Sequence, residues 1–226
     1  MTDIKRALLL IGSPKIENST SASLGNYLIS KLEESGMISE TIFIYRVINR
    51  EETTKKLFQA IEGADLIILT FPLYVDSLPA PVIKAMEVVK EYRDTLDTKK
   101  TQRFIAIVNN GFPEGSQNSI SLQICRIFAK ECGFFWKGGL SLGGGGAVHG
   151  VPLLEKPGMM RNVIKGLDIA AQALKEDNDI PQEAIEYFSK QFIPSVIYRT
   201  FGNIGWRVQA KQYDKKQKLK RKPYAN

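Results

Sequence analysis

A cluster of hydroxyl and basic side chains follows the first apolar run of the sequence, Ala7 to Ile11 (ALLLI), which Gly12 closes. The residues of this cluster that can contact a ligand are Ser13, Lys15, Asn18, Ser19, Thr20 and Ser21. Unpaired N–H groups at a helix start, with hydroxyl donors and a lysine nearby, suit a phosphate. Serine and threonine also precede many helices as ordinary N-caps, so this segment alone leaves a phosphate site and a simple cap as alternatives.

A second candidate segment, FPLYVDSLPAP, follows the apolar run from Asp65 to Thr70. Phe71, Leu73, Tyr74 and Val75 supply the aromatic and aliphatic walls that a flat, partly apolar ring needs, and the prolines stiffen the loop. The alternative is a plain strand-to-helix connection with its aromatic side chains in the core.

Two more polar loops follow apolar runs. NNGFPEGSQNS comes after the run from Phe104 to Val108, and GGGGAVHG comes after the run from Phe135 to Leu142. Gly143 to Gly146 allow a backbone to approach a ligand closely or a loop to move. His149 stands where it could meet a substrate, but a surface residue is the simpler interpretation, and we assign it no catalytic role.

These loops join apolar runs to segments with helical periodicity. The predicted strands cover residues 7–11, 41–47, 65–70, 104–108 and 135–142. Helical spacing predicts helices over 19–35, over 51–63, after Pro81, before Gly133 and over 160–174. Five strand–helix units with wholly apolar strands predict an α/β protein in which helices cover both faces of one parallel sheet. The ligand site of such a sheet lies beyond the carboxyl ends of its strands, where the four polar loops stand.

The composition excludes several classes of site. Two cysteines and one histidine are too few for a four-thiolate zinc site, an iron–sulfur cluster on four cysteines or a multi-histidine metal site, so no metal is predicted. Cys125 and Cys132 are most simply core residues. Because no apolar run approaches the roughly 20 residues that span a bilayer, or resembles the core of a secretory signal, we expect a cytoplasmic protein.

The positive charge lies at the C-terminus. From Arg207 onward there are eight Lys or Arg residues and one acidic residue, Asp214, a surplus equal to the net charge of +7 of the whole chain. Residues 1–206 are therefore neutral overall. A neutral body with a basic tail is not typical of a nucleic-acid-binding domain, and no nucleic-acid partner is predicted.

The strand–helix pattern stops near Asp177, so we predict a domain over residues 1–177 and a helical extension over 178–226. The extension contains an amphipathic stretch with Ile185, Phe188, Phe192 and Val196. The tail has three interpretations: a solvated end, contact with an anionic membrane surface, or packing on a second subunit. We expect packing for residues 178–206 and a solvated end for 207–226.

Two of the loops resemble those of a known family. GSPKIENSTSASLGNYL resembles the FMN phosphate loop of the flavodoxin-like NAD(P)H-dependent FMN reductases, and TFPLYVDSLPAPVIKAME resembles their second flavin loop. The resemblance covers residues 1–176 and implies a doubly wound, five-stranded parallel sheet of order 2-1-3-4-5. Lys15 stands where the family often has arginine, which has a bidentate fork that lysine lacks. The four-cysteine motif of the related iron–sulfur flavoproteins is absent.

The resemblance also implies the residues that bind FMN. By this resemblance the first loop binds the phosphate end of FMN through Ser13, Lys15, Asn18, Ser19, Thr20 and Ser21. The second loop lines the isoalloxazine with Pro72, Leu73, Tyr74, Val75, Asp76 and Ser77. The other edge of the ring contacts Asn110, Gly111 and Phe112.

The function that the resemblance implies is an FMN-dependent oxidoreductase. A hydride passes from NADPH or NADH to N5 of the flavin and then to a small acceptor: a quinone, a free flavin, a nitro compound or a metal ion. The cofactor carries this chemistry, so no side chain need be the catalyst. Family members are commonly dimers or tetramers, which implies a homo-oligomer. The alternatives are a flavodoxin-like electron carrier, which the neutral body and the extension weigh against, and a flavin-binding or empty protein that its tail recruits to a membrane or partner.

Overall fold

A computed structural model describes residues 5–191 and 194–212 of the chain. The strands are β1 (Arg6–Ile11), β2 (Ile38–Phe43), β3 (Leu66–Pro72), β4 (Arg103–Asn109) and β5 (Phe135–Leu142). The α-helices are α1 (Thr20–Glu33), α2 (Ile44–Val47), α3 (Glu51–Gly63), α4 (Ala80–Asp94), α5 (Ser119–Cys132), α6 (Pro157–Lys175), α7 (Gln182–Ser189) and α8 (Ser195–Gln212).

The five strands form one sheet of order β2-β1-β3-β4-β5, and every neighbouring pair is parallel. This confirms the predicted fold and strand order. β1 lies between β2 and β3, so the order of the strands reverses at β1. The crevice beyond the carboxyl ends of β1 and β3 is the place where this topology accommodates a ligand.

The two faces of the sheet bury separate cores. Side chains alternate along each strand, so Leu9 and Ile68 face a core shared with α1, α6 and α7. Leu8 and Ile67 face a core shared with α3, α4 and α5. Burial on both faces explains why β1, β3 and β4 are continuous apolar runs in the sequence.

A close approach of α1 to the sheet sets the position of the loop before it. A Cβ atom on Gly25 would lie 2.6 Å from Cδ1 of Leu9, so a larger residue there would push the helix away from β1. The loop that joins β1 to α1 is thereby held over the carboxyl end of the sheet.

The prediction for the second strand is wrong in its bounds. Residues 41–47 were expected to be extended, but the strand is Ile38–Phe43 and the chain then turns into α2. β2 is an edge strand in which three of the six residues are exposed, and its first four residues (ISET) include a single apolar one. Ile44 is buried in the core below β1 and β3, although it belongs to a helical turn.

An ion-pair cluster holds the end of α6 to the opposite edge of the sheet. The guanidinium of Arg103 lies 2.5 Å from a carboxylate oxygen of Asp177, and the ammonium of Lys137 lies 3.4 Å from the other oxygen. The hydrogen bond from Arg103 holds the pKa of Asp177 below its usual range. The backbone N–H of Ile180 then donates to the carbonyl of Lys137, which leads the chain along β5.

The chain divides into two compact units, Met1–Phe192 and Ile193–Asn226. Helix α7 packs on α6 and β5 within the first unit, and Phe188 is fully buried there. The predicted boundary after residue 177, between an FMN-binding domain and a C-terminal extension, remains a prediction. The amphipathic stretch predicted over 185–196 is not one helix, because α7 ends at Ser189; Phe192 lies outside the described residues.

The second unit contains α8, and the chain beyond Gln212, with most of the basic residues, lies outside the described residues. None of the helices described above combines the length and the hydropathy that a membrane-spanning segment requires.

Candidate functional site

A cleft opens at the carboxyl edge of the sheet, at the strand reversal. The space between its walls is about 700 Å³, part of which is open solvent. Three loops line it: those after β1, β3 and β5, together with the end of β4. The lining residues are Ser13, Lys15, Asn18, Ser19, Thr20, Ser21, Pro72, Leu73, Tyr74, Asn109, Asn110, Gly145, Gly146, His149 and Gly150.

Ser19 is the N-cap of α1. Its hydroxyl accepts the N–H of Ala22 at 3.1 Å and donates to the carbonyl of Ile16 at 2.7 Å. The backbone N–H groups of Thr20 and Ser21 have no acceptor among the residues that the structure describes. The cap therefore uses the Ser19 hydroxyl fully and leaves two backbone donors of the first turn free for a ligand.

Two buried hydroxyl groups beside this turn keep a proton to donate. The Ser13 hydroxyl accepts the N–H of Lys15 at 3.3 Å, and the Ser21 hydroxyl accepts the side-chain amide of Asn109 at 2.8 Å. Within the described part of the chain, neither hydroxyl donates to a protein acceptor. Both residues are at most 4% exposed, so an anion in the cleft is the acceptor that would satisfy them.

The glycine-rich loop after β5 closes the same end of the cleft. The Thr20 hydroxyl donates to the carbonyl of Gly145 at 2.8 Å, which ties this loop to the start of α1. Gly150 has a positive φ of 70°, and a Cβ atom there would lie 2.4 Å from the carbonyl carbon of Asn18. Only glycine allows the two loops to meet this closely.

The charge of this end suits an anion. None of the lining residues is acidic, and Lys15 supplies an exposed cation. Glu17, the carboxylate of the same loop, is paired with Arg46 of α2 at 2.6 Å. The donor set therefore fits a phosphate: free N–H groups, two hydroxyl protons and one ammonium, with the nearby carboxylate neutralised.

Residues 74–77 form a tight turn at the other end of the cleft. The N–H of Tyr74 donates to the carbonyl of Ser77, and the N–H of Ser77 donates to the carbonyl of Tyr74. Val75 and Asp76, the two residues between them, have φ values of 48° and 59°. Two residues with left-handed backbone are what a type I′ turn requires, although β-branched valine is disfavoured there.

Backbone strain is concentrated around the cleft. Within the described ranges, five residues other than glycine have positive φ. Four of them stand on the surrounding loops, namely Ile16, Val75, Asp76 and His149. Such strain costs on the order of 1–3 kcal/mol per residue and is most common at functional sites.

Pro72, Leu73 and Tyr74 form the apolar wall between these two ends. Pro72 and Leu73 are partly buried, and the Tyr74 ring is 45% exposed. Tyr45 of α2 interacts electrostatically with Tyr74, and burial raises the pKa of the Tyr45 hydroxyl, which keeps it neutral. A flat, partly apolar ring fits beside such a wall.

A buried amide network holds the loop after β4. Asn118 is fully buried and donates to the carbonyl groups of Val108 and Leu142, while its side-chain oxygen accepts from Asn110. The side-chain oxygen of Asn110 in turn accepts the N–H of Phe112 at 2.8 Å. The network fixes Asn110 in the lining of the cleft.

The structure brings ten of the predicted contact residues together in the lining of the cleft. The other five are Val75 and Asp76, which form the exposed tip of the turn; Ser77, which closes it; and Gly111 and Phe112, which are exposed on the β4 loop. Asn109 was missed, although it is the last residue of β4. Gly145, Gly146, His149 and Gly150 also line the cleft, and the run of glycines was the signal for them.

The strand order and the phosphate-suited cleft at the point of strand reversal define a flavodoxin-like protein. The sequence over residues 6–121 matches the model of the family described as NADPH-dependent FMN reductase. This match covers just over half of the chain, and the protein belongs to that family. Membership makes it a flavin-dependent oxidoreductase and confirms the prediction of FMN as cofactor with a nicotinamide co-substrate.

Solved structures share the fold. A putative quinone reductase from Klebsiella pneumoniae aligns with a TM-score of 0.58 and 15% identity, over 78% of this chain and 87% of that one. An FMN-dependent NADH-azoreductase from Bacillus anthracis, solved in complex with FMN, aligns with a TM-score of 0.53 and 13% identity, over 76% of this chain and 100% of that one. At these identities the likeness concerns the fold. No curated protein sequence matches the chain.

Proposed function

We propose that the protein oxidises NADPH or NADH through bound FMN and passes the electrons to a small acceptor, which is a quinone, a free flavin, a nitro compound or a metal ion. The observation that carries this proposal is the set of uncommitted donors at one end of the cleft, with an apolar wall at the other. A phosphate and a planar ring on one molecule match the two ends. Family membership supports the same cofactor.

The phosphate is held by the groups that the protein leaves free. The hydroxyl groups of Ser13 and Ser21 and the N–H groups of Thr20 and Ser21 donate to its oxygens, and Lys15 adds a positive charge. Asn18 stands at the rim of the same loop. Ser19 contributes indirectly, because its hydroxyl keeps the first turn of α1 in shape.

The ring lies against Pro72, Leu73 and Tyr74. Val75, Asp76 and Ser77 support this wall through the tight turn, and Asn110, Gly111 and Phe112 stand along the other edge. When bound, FMN would supply the redox chemistry of hydride acceptance and electron release. The protein orients the ring, leaves one side of it open at the partly exposed Tyr74, and keeps carboxylates away from the phosphate.

The relatives of known fold support a small organic acceptor. One of them is an azoreductase that was solved with FMN, and the other is described as a putative quinone reductase. We carry the cofactor and the acceptor class from them to this chain as part of the proposal.

The test is an anaerobic titration of the FMN-loaded protein with NADPH and, separately, with NADH. We expect rapid loss of the visible flavin band, and recovery of the band when a quinone, a nitro compound, free flavin or a ferric chelate is added. A flavin band that persists in excess of both nicotinamides would instead indicate an electron carrier. Failure of the protein to take up FMN would refute every flavin-based function.

Two further expectations belong to this proposal. The homo-oligomer, a dimer or a tetramer, is tested by light scattering of the purified chain. The boundary after residue 177 is tested by a chain that ends there, which we expect to retain FMN. Because α7 packs on α6 and β5, this shortened chain is expected to be less stable than the full chain.

A further inference from the structure

Helix α8 exposes an apolar stripe. Ile197, Ile204 and Val208 are separated by seven and four residues, which places them on one side of an α-helix. Their exposed fractions are 46%, 49% and 54%. Trp206, two residues from both Ile204 and Val208, is 70% exposed on the other side of the same helix. Helices that lie in the interface of a bilayer typically carry such an apolar stripe.

Basic residues accompany and follow this stripe. Arg207 and Lys211 are exposed on α8. The sequence continues with six more Lys or Arg residues and a single acidic residue, Asp214. Because residues 1–206 are neutral overall, the whole positive surplus of the protein lies within and directly after the apolar helix.

We propose that α8 and the basic residues after it bind the surface of an anionic lipid bilayer. The stripe of α8 enters the boundary between headgroups and acyl chains, and the lysines and arginines contact the lipid phosphates. This is a surface contact, since α8 is not a membrane-spanning helix. The partner is defined by its chemistry: negative headgroups above a hydrocarbon layer.

Two other partners for α8 and the basic residues, a nucleic acid and a second copy of the chain, fit their chemistry less well than lipid. A nucleic acid would use the cations but would leave Ile197, Ile204 and Val208 exposed to water. A second copy of the chain would cover the apolar stripe, but a two-fold contact places equal patches against each other. That contact would bring two segments with the same positive surplus together, and the two segments would repel each other.

The test is sedimentation of the full chain with vesicles. The vesicles contain phosphatidylcholine alone or phosphatidylcholine mixed with phosphatidylglycerol. We expect the protein to sediment with the anionic vesicles, to remain in solution with the neutral ones, and to be released by salt.

Charge variants test the role of the cations. Since a Lys or Arg near an anionic surface contributes about 1 kcal/mol, Arg207→Gln with Lys211→Gln should weaken binding about 30-fold. The matched control is Arg126→Gln with Lys130→Gln on α5, which has the same spacing and removes the same charge from exposed positions. This control should bind like the unmodified protein.

An apolar variant tests the role of the stripe. Ile204→Ser should weaken binding about tenfold, because a half-exposed isoleucine has roughly half of its transfer free energy left to gain. Ile83→Ser on α4, where the side chain is 40% exposed, is the control and should leave binding unchanged.

Three results would overturn the proposal: equal sedimentation with neutral and anionic vesicles, no sedimentation with either, or equal losses in the α5 and α8 charge variants. Tighter binding of an RNA oligonucleotide than of anionic vesicles at the same salt would assign the tail to nucleic acid. A change of oligomeric mass in Ile204→Ser, without vesicle binding by the unmodified chain, would assign it to self-association. The assay uses neither FMN nor nicotinamide, so it is independent of the proposed reaction.

Discussion

Replacing Ser13 by alanine separates cofactor binding from folding. The Ser13 hydroxyl accepts only a long bond of 3.3 Å from the N–H of Lys15 and keeps its proton for a ligand. Removing this hydroxyl takes one hydrogen-bond donor away from the phosphate and removes little stability from the fold. We therefore expect the free energy of unfolding of the FMN-free protein to change by less than about 0.5 kcal/mol.

The expected loss of affinity follows from the charge of the acceptor. A hydrogen bond to a charged group contributes about 1.5–3 kcal/mol, so the dissociation constant for FMN should rise about 10- to 150-fold in Ser13→Ala. The measurement is a titration of the FMN-free protein with FMN, followed by the quenching of flavin fluorescence. Urea unfolding of the same sample, followed by circular dichroism, gives the stability.

Ser19→Ala is the matched control, because its hydroxyl is committed to the protein. The variant loses the bond to Ala22 and the bond to Ile16, and an N-cap of this kind stabilises a protein by about 1 kcal/mol. We expect a lower free energy of unfolding and a smaller loss of FMN affinity than in Ser13→Ala. The assignment of the two hydroxyls is refuted if Ser13→Ala mainly destabilises the fold while Ser19→Ala mainly weakens FMN binding.

Three further predictions concern the turn, the ion pair and the amide network. Val75→Gly should raise the free energy of unfolding by about 1 kcal/mol, because glycine relieves the left-handed strain and the 98%-exposed valine loses no packing. Asp177→Asn should lower the free energy of unfolding by about 1–2 kcal/mol at neutral pH, since the carboxylate forms an ion pair with Arg103. That difference should shrink below about pH 4, because a lowered folded-state pKa stabilises the protein only while the group is ionised. Asn118→Ala should cost about 2 kcal/mol or more and weaken FMN binding, because it leaves Asn110 and two buried carbonyl groups without their partner.

Chemical denaturation of each variant beside the unmodified protein checks these values, and flavin titration checks the Asn118 variant. A destabilised Val75→Gly would contradict the strain argument, because the entropy that glycine adds to the unfolded chain would then outweigh the relieved strain. A difference for Asp177→Asn that is constant between pH 3 and pH 8 would contradict the ionic explanation. Unchanged FMN affinity in a folded Asn118→Ala protein would remove the β4 loop from the binding site.

The sheet could be predicted from sequence because burial on both faces leaves a strong pattern. β1, β3 and β4 are apolar over nearly their whole length, and their ends fix the loops that line the cleft. The edge strand β2 has no such pattern, since only one of its six residues is buried. The β-branched and aromatic residues between Thr41 and Val47 then favoured a strand where the chain turns into a helix to bury Ile44.

The site could be predicted only to the level of loops. The run of hydroxyl residues in the first loop indicates a phosphate site, but it does not show which hydroxyl caps α1 and which remains free. That division depends on Asn109, which comes from another strand and donates to Ser21. The place of Gly150 in the lining depends likewise on its close approach to Asn18, which is distant in sequence.

The arrangement around the start of α1 has a consequence for which flavin the protein accepts. At that end, the polar groups that have no acceptor within the fold are all hydrogen-bond donors. They belong to Ser13, Lys15, Thr20 and Ser21. Riboflavin brings only a neutral alcohol to them, whereas a doubly ionised ester, whose second proton leaves near pH 6, accepts from every one. We therefore expect the protein to bind FMN more tightly than riboflavin, so that its loading would depend on the supply of the phosphorylated form.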